Sequence, residues 1–365
     1  MWKVLDNWVD RYLSNEEAVL LALMLLAAFG LIVLAGGLLG PVLAALVLAF
    51  LLQGIVALLE RWGVPHLAAV WVVFLAFLGV FVLGAFFLFP ITAQQSIHLL
   101  SEAPAMVRAW QIRLQQLPEH YPHLISEDQL GHLVQYTARE ITRFVEGALT
   151  FSVSRFPNLM GLLVYLLLVP LLVFFLLKDR RQLLAMLAGL LPAERPVMRQ
   201  IWNEMNLQMA NYVRGKVAEI VIVGAATYAV FAVLGVDYAA LLALLVGLSV
   251  VIPYIGAAVV TIPVLAVGYA QWGWGGEFFT LCGAYLVIQF LDGNVLVPIL
   301  FSEAVNLHPV AIILAVLLFG GIWGLWGVFF AIPLATLVKA LYNAWPRTHA
   351  EVQPAADETA DGNSP

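Results

Sequence analysis

The chain has 365 residues, of which 63% are hydrophobic and 11% charged, and its formal net charge is −6. An apolar share so far above the roughly 45–50% of a soluble domain excludes an ordinary soluble enzyme and indicates a polytopic membrane protein. With no basic stripe, nucleic acid is excluded as a partner, and with Cys282 as the single cysteine no intramolecular disulfide framework exists.

The first apolar run, residues 18–36, is too long for the core of a signal peptide and reads as a retained span. Gly36-Gly37 and Gly40-Pro41 punctuate it, residues 42–59 form a second candidate, and residues 67–89 a third that ends at Pro90. Residues 1–91 are therefore predicted to be N-terminal transmembrane helices. Residues 92–157 change in composition, mixing five arginines with six carboxylates, and read as an extramembrane helical domain. Met106, Trp110, Leu114 and Leu117 recur at helical spacing there, and Ser126 with Gln129 resembles a capping box. His120 and His123 have a spacing that could hold a metal, but no Cys or carboxylate pattern completes a site, so no metal and no cofactor are assigned.

Residues 158–178 are a fourth span with Pro170 inside it, and residues 179–216 an amphipathic segment holding many of the basic residues: Lys178 at its edge, then Arg180, Arg181, Arg195, Arg199, Arg214 and Lys216. Lys and Arg beside spans favour the cytoplasm, and counting crossings from a cytoplasmic N-terminus puts residues 92–157 in the periplasm. Residues 217–340 form the C-terminal transmembrane core. Pro253 and Gly256 break its helices, and the run around Gly324 is either one kinked span or a re-entrant hairpin, with parity favouring the hairpin and a cytoplasmic C-terminus. Residues 341–365 have the composition of a disordered cytoplasmic tail.

One stretch of the core, residues 289–309, is polar between two apolar blocks. It carries Gln289, Asp292, Asn294, Glu303, Asn306 and His308 beside the helix breakers Gly293, Pro298 and Pro309. Charged groups and broken backbone at membrane depth face protein or a water-filled cavity, so these residues are candidates for a solute or ion path. The competing reading is an aqueous loop with an Asp-Gly turn. The fold expectation is all-α, with about eight crossing or re-entrant helical elements in a lipid bilayer and broken helices in the C-terminal half.

In order along the chain, Tyr212-Val213-Arg214-Gly215-Lys216, Leu234-Gly235-Val236, Ile252-Pro253-Tyr254-Ile255-Gly256, Leu291-Asp292-Gly293-Asn294-Val295-Leu296-Val297-Pro298, Val305-Asn306-Leu307-His308-Pro309 and Ala331-Ile332-Pro333-Leu334-Ala335 resemble the autoinducer-2 exporter family. The arrangement is most similar to its permease subgroup of bacterial inner membranes. The resemblance implies a multi-span transporter in the inner membrane and a homo-oligomer, with a pentamer as one expected form. Some members export autoinducer-2, and others are linked to sodium or lithium and proton antiport.

Three functions follow for comparison. The first is a secondary transporter for a small polar solute, since no Walker-type phosphate loop is present. The second is a cation/proton antiporter using the same carboxylates, and the third a membrane scaffold that binds partners through its extramembrane helices. No zinc-protease or serine-hydrolase motif is present, and no enzyme activity is expected.

Overall fold

The computed structural model describes residues 16–115, 159–189, 191, 196–301 and 307–344. The capping box at Ser126, the histidines of residues 120–132, Glu303, Asn306 and the tail from residue 345 lie outside the described residues. All regular structure among the described residues is helical, and five described helices are long and apolar enough to cross a membrane.

Helix α1 spans Glu16–Arg61 without interruption, about 69 Å at 1.5 Å per residue. The two spans expected before and after residues 36–41 are thus one helix, with Pro41 inside it. Away from water an α-helix is the one local structure that satisfies its own backbone, so neither the glycines nor one proline is enough to end it. A turn leads to α2 (His66–Leu83), which passes through a π-helical segment, Gly84–Leu88, directly into α3 (Phe89–Gln115). The expected stop at Pro90 is absent: the wider π turn takes up the ring and missing N–H of the proline that follows it. Helix α4 (Leu159–Lys178) packs with α1 and α2 around Ala45, Ala49, Val56, Val70, Val73, Val173 and Leu177.

The second half is built on α6. After the short α5 (Arg180–Gly189), α6 runs unbroken over Pro196–Leu234. No element boundary falls between residues 216 and 217, where the amphipathic segment and the next span were expected to meet. Helices α7 (Ala239–Ser249) and α8 (Ile255–Trp272) follow as a hairpin. Its two ends are tied together beside the end of α6, where the Gln271 side-chain amide donates to the Gly235 carbonyl at 2.8 Å and its oxygen accepts from the Asp237 amide at 3.0 Å. Its tip lies eighteen residues back along α6, where the Val250 carbonyl meets Lys216.

Helix α9 (Gly276–Leu291) continues through a second π-helical segment, Asp292–Leu296, into α10 (Val297–Phe301). Gly293 and Pro298 therefore do not break the helix, and the Asp-Gly pair makes no loop. As at Pro90, a π segment ends two residues before the proline. Past the undescribed residues comes a second hairpin: α11 (Pro309–Trp323), the one-turn α12 (Leu325–Phe329) and α13 (Ala331–Ala344). Helix α13 packs on both α11 and α6, and at roughly 21–22 Å α11 and α13 are each shorter than a hydrocarbon core of about 30 Å. Residues 310–337 are thus two short helices folded back on each other rather than one kinked span.

Both hairpin turns depend on glycine. A Cβ on Gly256 would strike the Ser249 carbonyl oxygen, and one on Gly327 would strike the Phe319 carbonyl oxygen. Gly324, expected to serve close helix contact, has open space where a Cβ would stand, with no atom within 4 Å; it is needed for its φ of +59°, which L side chains rarely adopt. Pro253, Gly256, Pro309 and Gly324 sit at real helix ends, whereas Gly293 and Pro298 do not.

Candidate functional site

The site grows from one stretch of α6, Tyr212 to Glu219. Lys216 and Glu219, three residues apart, lie on the inward face of this helix with relative exposures of 4% and 2%. The Lys216 Nζ is 2.7 Å from the Glu219 carboxylate, donates to the Val250 carbonyl at 2.8 Å and stands 5.1 Å from the centre of the Phe301 ring. Val250 follows the last turn of α7, so its carbonyl lacks the next helical N–H, and the ammonium supplies a donor in its place. Gly215 lets the Phe301 ring lie against α6: a Cβ there would come within 2.8 Å of the ring edge.

One turn earlier, the buried Tyr212 hydroxyl donates to the Phe329 carbonyl at 2.7 Å. Its ring packs on Phe301 and Phe329, both with centroids 6.0 Å away. Val251, Ile252, Ile312, Val316, Phe319, Ala331 and Ile332 close around it. The tips of the two hairpins thus meet at a single turn of α6.

Asp292 opens the second π segment and is in electrostatic reach of both Lys216 and Glu219. Its Oδ1 is buried without a hydrogen-bond partner among the described residues. Glu219 thus holds the ammonium directly, and the Asp292 carboxyl group stands near the pair without contacting it. An unbalanced buried charge is costly, and a proton or a cation near the pair would restore neutrality.

The other expected path residues are placed differently. The Gln289 side chain lies beside the Tyr285 hydroxyl one turn back on the same helix, and it is that hydroxyl, 3.1 Å from Thr261 Oγ1, that ties α9 to α8. The Asn294 side-chain amide donates to the Phe290 carbonyl of its own helix at 3.0 Å and is otherwise exposed. His308 is the N-cap of α11: its Nδ1 accepts from the Val310 amide at 3.3 Å, with Pro309 in the first helical position. Of the four candidates among the described residues, only Asp292 stands near the buried Lys216–Glu219 pair; Glu303 and Asn306 lie outside the described residues. Sequence reading missed Lys216 and Glu219 because both were assigned to the edge of the membrane. The available signal was their spacing, an opposite pair at i,i+3 beside an apolar run.

Interrupted helices whose turns meet at a buried charged pair fit a polytopic membrane transporter better than a simple anchor. The chain belongs to the AI-2E transporter family, whose description as AI-2E family transporter fits residues 20–347. Among curated relatives it is 46% identical over 346 residues to PerM of Escherichia coli (strain K12), whose name classes it as a permease; the match covers 95% of this chain and 98% of PerM. The AI-2 transport protein TqsA of the same organism is 25% identical over 302 residues, covering 82% of this chain and 83% of TqsA. YueF of Bacillus subtilis (strain 168), classed by name as a transport protein, is 25% identical over 309 residues, covering 83% and 82% respectively.

Proposed function

We propose that this transporter is a gradient-driven permease of the bacterial inner membrane that moves a small polar solute without converting it, and that Lys216, Glu219 and Asp292 form its coupling centre. The observation that carries this reading is the buried Lys216–Glu219 pair, with the half-buried Asp292 carboxyl group nearby, at the point where both hairpin tips meet α6. Orientation follows from charge. His66 bridges Glu60, at 2.6 Å, and the Lys178 carbonyl, at 3.2 Å, which brings Arg61, Lys178, Arg180 and Arg181 to one end of the first bundle. Such a basic end faces the cytoplasm. The end carrying Glu102, Tyr238 and Gln271 then faces the periplasm, where the Tyr238 hydroxyl meets Glu102 at 2.6 Å.

The test is transport by purified protein in proteoliposomes across a panel of polar metabolites and monovalent cations. Autoinducer-2 belongs in the panel because TqsA carries AI-2 transport in its name. Asp292→Asn keeps the shape and removes the titrating group. The expected result is solute binding close to wild type with the pH dependence of transport flattened; an unchanged pH profile would remove Asp292 from coupling. A second reading, cation/proton antiport, is favoured by the charge imbalance of the cluster alone. It predicts cation-dependent proton flux with no organic solute present.

A further inference from the structure

We infer that Tyr212 and Lys216 are two separate latches, one for each hairpin, set on a single turn of α6. They stand four residues apart and so share a face of α6. Each donates to a backbone carbonyl at the tip of a different hairpin: Tyr212 to Phe329 of the α11–α13 hairpin at 2.7 Å, and Lys216 to Val250 of the α7–α8 hairpin at 2.8 Å. Both carbonyls belong to turns that leave the helical ladder, so each needs an outside donor when buried. Away from this turn the two hairpins are held by different elements, α7–α8 beside Gly235 and Asp237 at the end of α6 and the α11–α13 hairpin against α1, where Trp323 packs on Phe29. Releasing one tip therefore leaves the other in place.

The Phe301 ring lies between the latches, in contact with both Tyr212 and Lys216 and resting on Gly215. Its helix also carries Asp292, so the latch for the α7–α8 hairpin shares its ammonium with the coupling centre. The link to transport rests on the proposed function, but the latches themselves do not. A test by tip accessibility, with no solute added, separates the two ideas: failed transport with hairpin-specific labelling sinks the coupling centre alone, and labelling without hairpin specificity sinks the latches alone.

The full-length protein in proteoliposomes, with Cys282→Ser as background, carries one reporter cysteine at a time. Val251→Cys reports the α7–α8 tip and Ala331→Cys the α11–α13 tip; both positions are buried. The probe is N-ethylmaleimide and the readout is labelling rate. Tyr212→Phe, which keeps the ring and removes the hydroxyl, is expected to speed labelling at Ala331→Cys by roughly three- to tenfold, the factor one net hydrogen bond supplies, with Val251→Cys unchanged. Lys216→Met combined with Glu219→Gln, which removes both charges of the buried pair, is expected to do the reverse. Lys216→Gln combined with Glu219→Gln, which keeps a donor at position 216 and removes the same charges, is expected to label closer to wild type than Lys216→Met with Glu219→Gln. Equal acceleration at both reporters, or no acceleration at either, overturns the proposal. If the lysine variants fail to fold, the Tyr212→Phe result decides it alone.

Discussion

At the scale of single residues, the chain is governed by how it keeps buried charge in balance. Lys216 and Glu219 are both almost wholly buried and 2.7 Å apart. Breaking such a pair by removing one partner costs about 3–5 kcal/mol, whereas replacing both with apolar groups of similar size is close to neutral. Lys216→Met alone is thus expected to lower thermal stability in detergent far more than Lys216→Met with Glu219→Leu. A double variant no more stable than the single one would show that the pair is not held together by its charges. A second residue, Tyr238, lies in the turn outside the spans. Burial, the acceptor carboxylate of Glu102 and the charge of Asp237 push its hydroxyl up to about 12. Its folded value exceeds the ordinary value of about 10, so the contact with Glu102 contributes fully below pH about 10 and is lost as pH rises through about 12. The stability difference between wild type and Tyr238→Phe is expected to be flat from neutral pH to about 10 and to shrink above it; a difference that stays constant past pH about 12 would show that the hydroxyl is not the group held by this contact.

At the scale of elements, the glycines of the two hairpin turns make the sharpest prediction. Gly256→Ala and Gly327→Ala each push a methyl group into a backbone carbonyl that cannot step aside, at Ser249 and Phe319 respectively. Overpacking of this kind costs about 1–3 kcal/mol and often more. Gly321→Ala, which meets nothing within 4 Å, is the control. Both hairpin variants are expected to lose folded yield in size-exclusion profiles and Gly321→Ala to keep it; equal yields would mean that the turns relax freely. These turns were legible in the sequence because Pro253, Gly256, Pro309 and Gly324 combine a breaker with a real change of chain direction. The same residue types at positions 36–41, at Pro90 and at Gly293 with Pro298 gave a false signal. In apolar surroundings the helix outlasts a single missing hydrogen bond, and a π turn absorbs the rest. The cluster was half legible: Asp292 stood out as a carboxylate amid apolar residues, but its partners sit on another helix and needed the fold to bring them near.

At the scale of the whole molecule, composition alone established the membrane class, and the ordered motifs indicated the family now shown by residues 20–347. The proposed orientation rests on the segregation of the chain's charges. Trp62 and Trp274, with relative exposures of 72% and 66%, lie in the turns at opposite ends. In intact cells and a Cys282→Ser background, a membrane-impermeant maleimide is expected to label Trp274→Cys and to spare Trp62→Cys until the cells are opened. The opposite pattern would invert the orientation.

The two π-helical segments also change the arithmetic of their helices. Each carries one residue more than an α-helix of the same rise needs, so the flanking parts keep their rotational phase only because of that surplus. Shortening the chain by one residue inside Asp292–Leu296, at Gly293 for example, would convert the segment to ordinary α-helix and leave Tyr285 and Phe301 facing as they do now. The same deletion at Gly283, within α9, would turn everything after it by about 100°, the angle of one residue at 3.6 per turn. Paired with Pro298→Ala to spare the proline a tighter helix, the Gly293 deletion is expected to fold and the Gly283 deletion to fail. A helix that can lose a residue in one place and nowhere nearby has a built-in vernier.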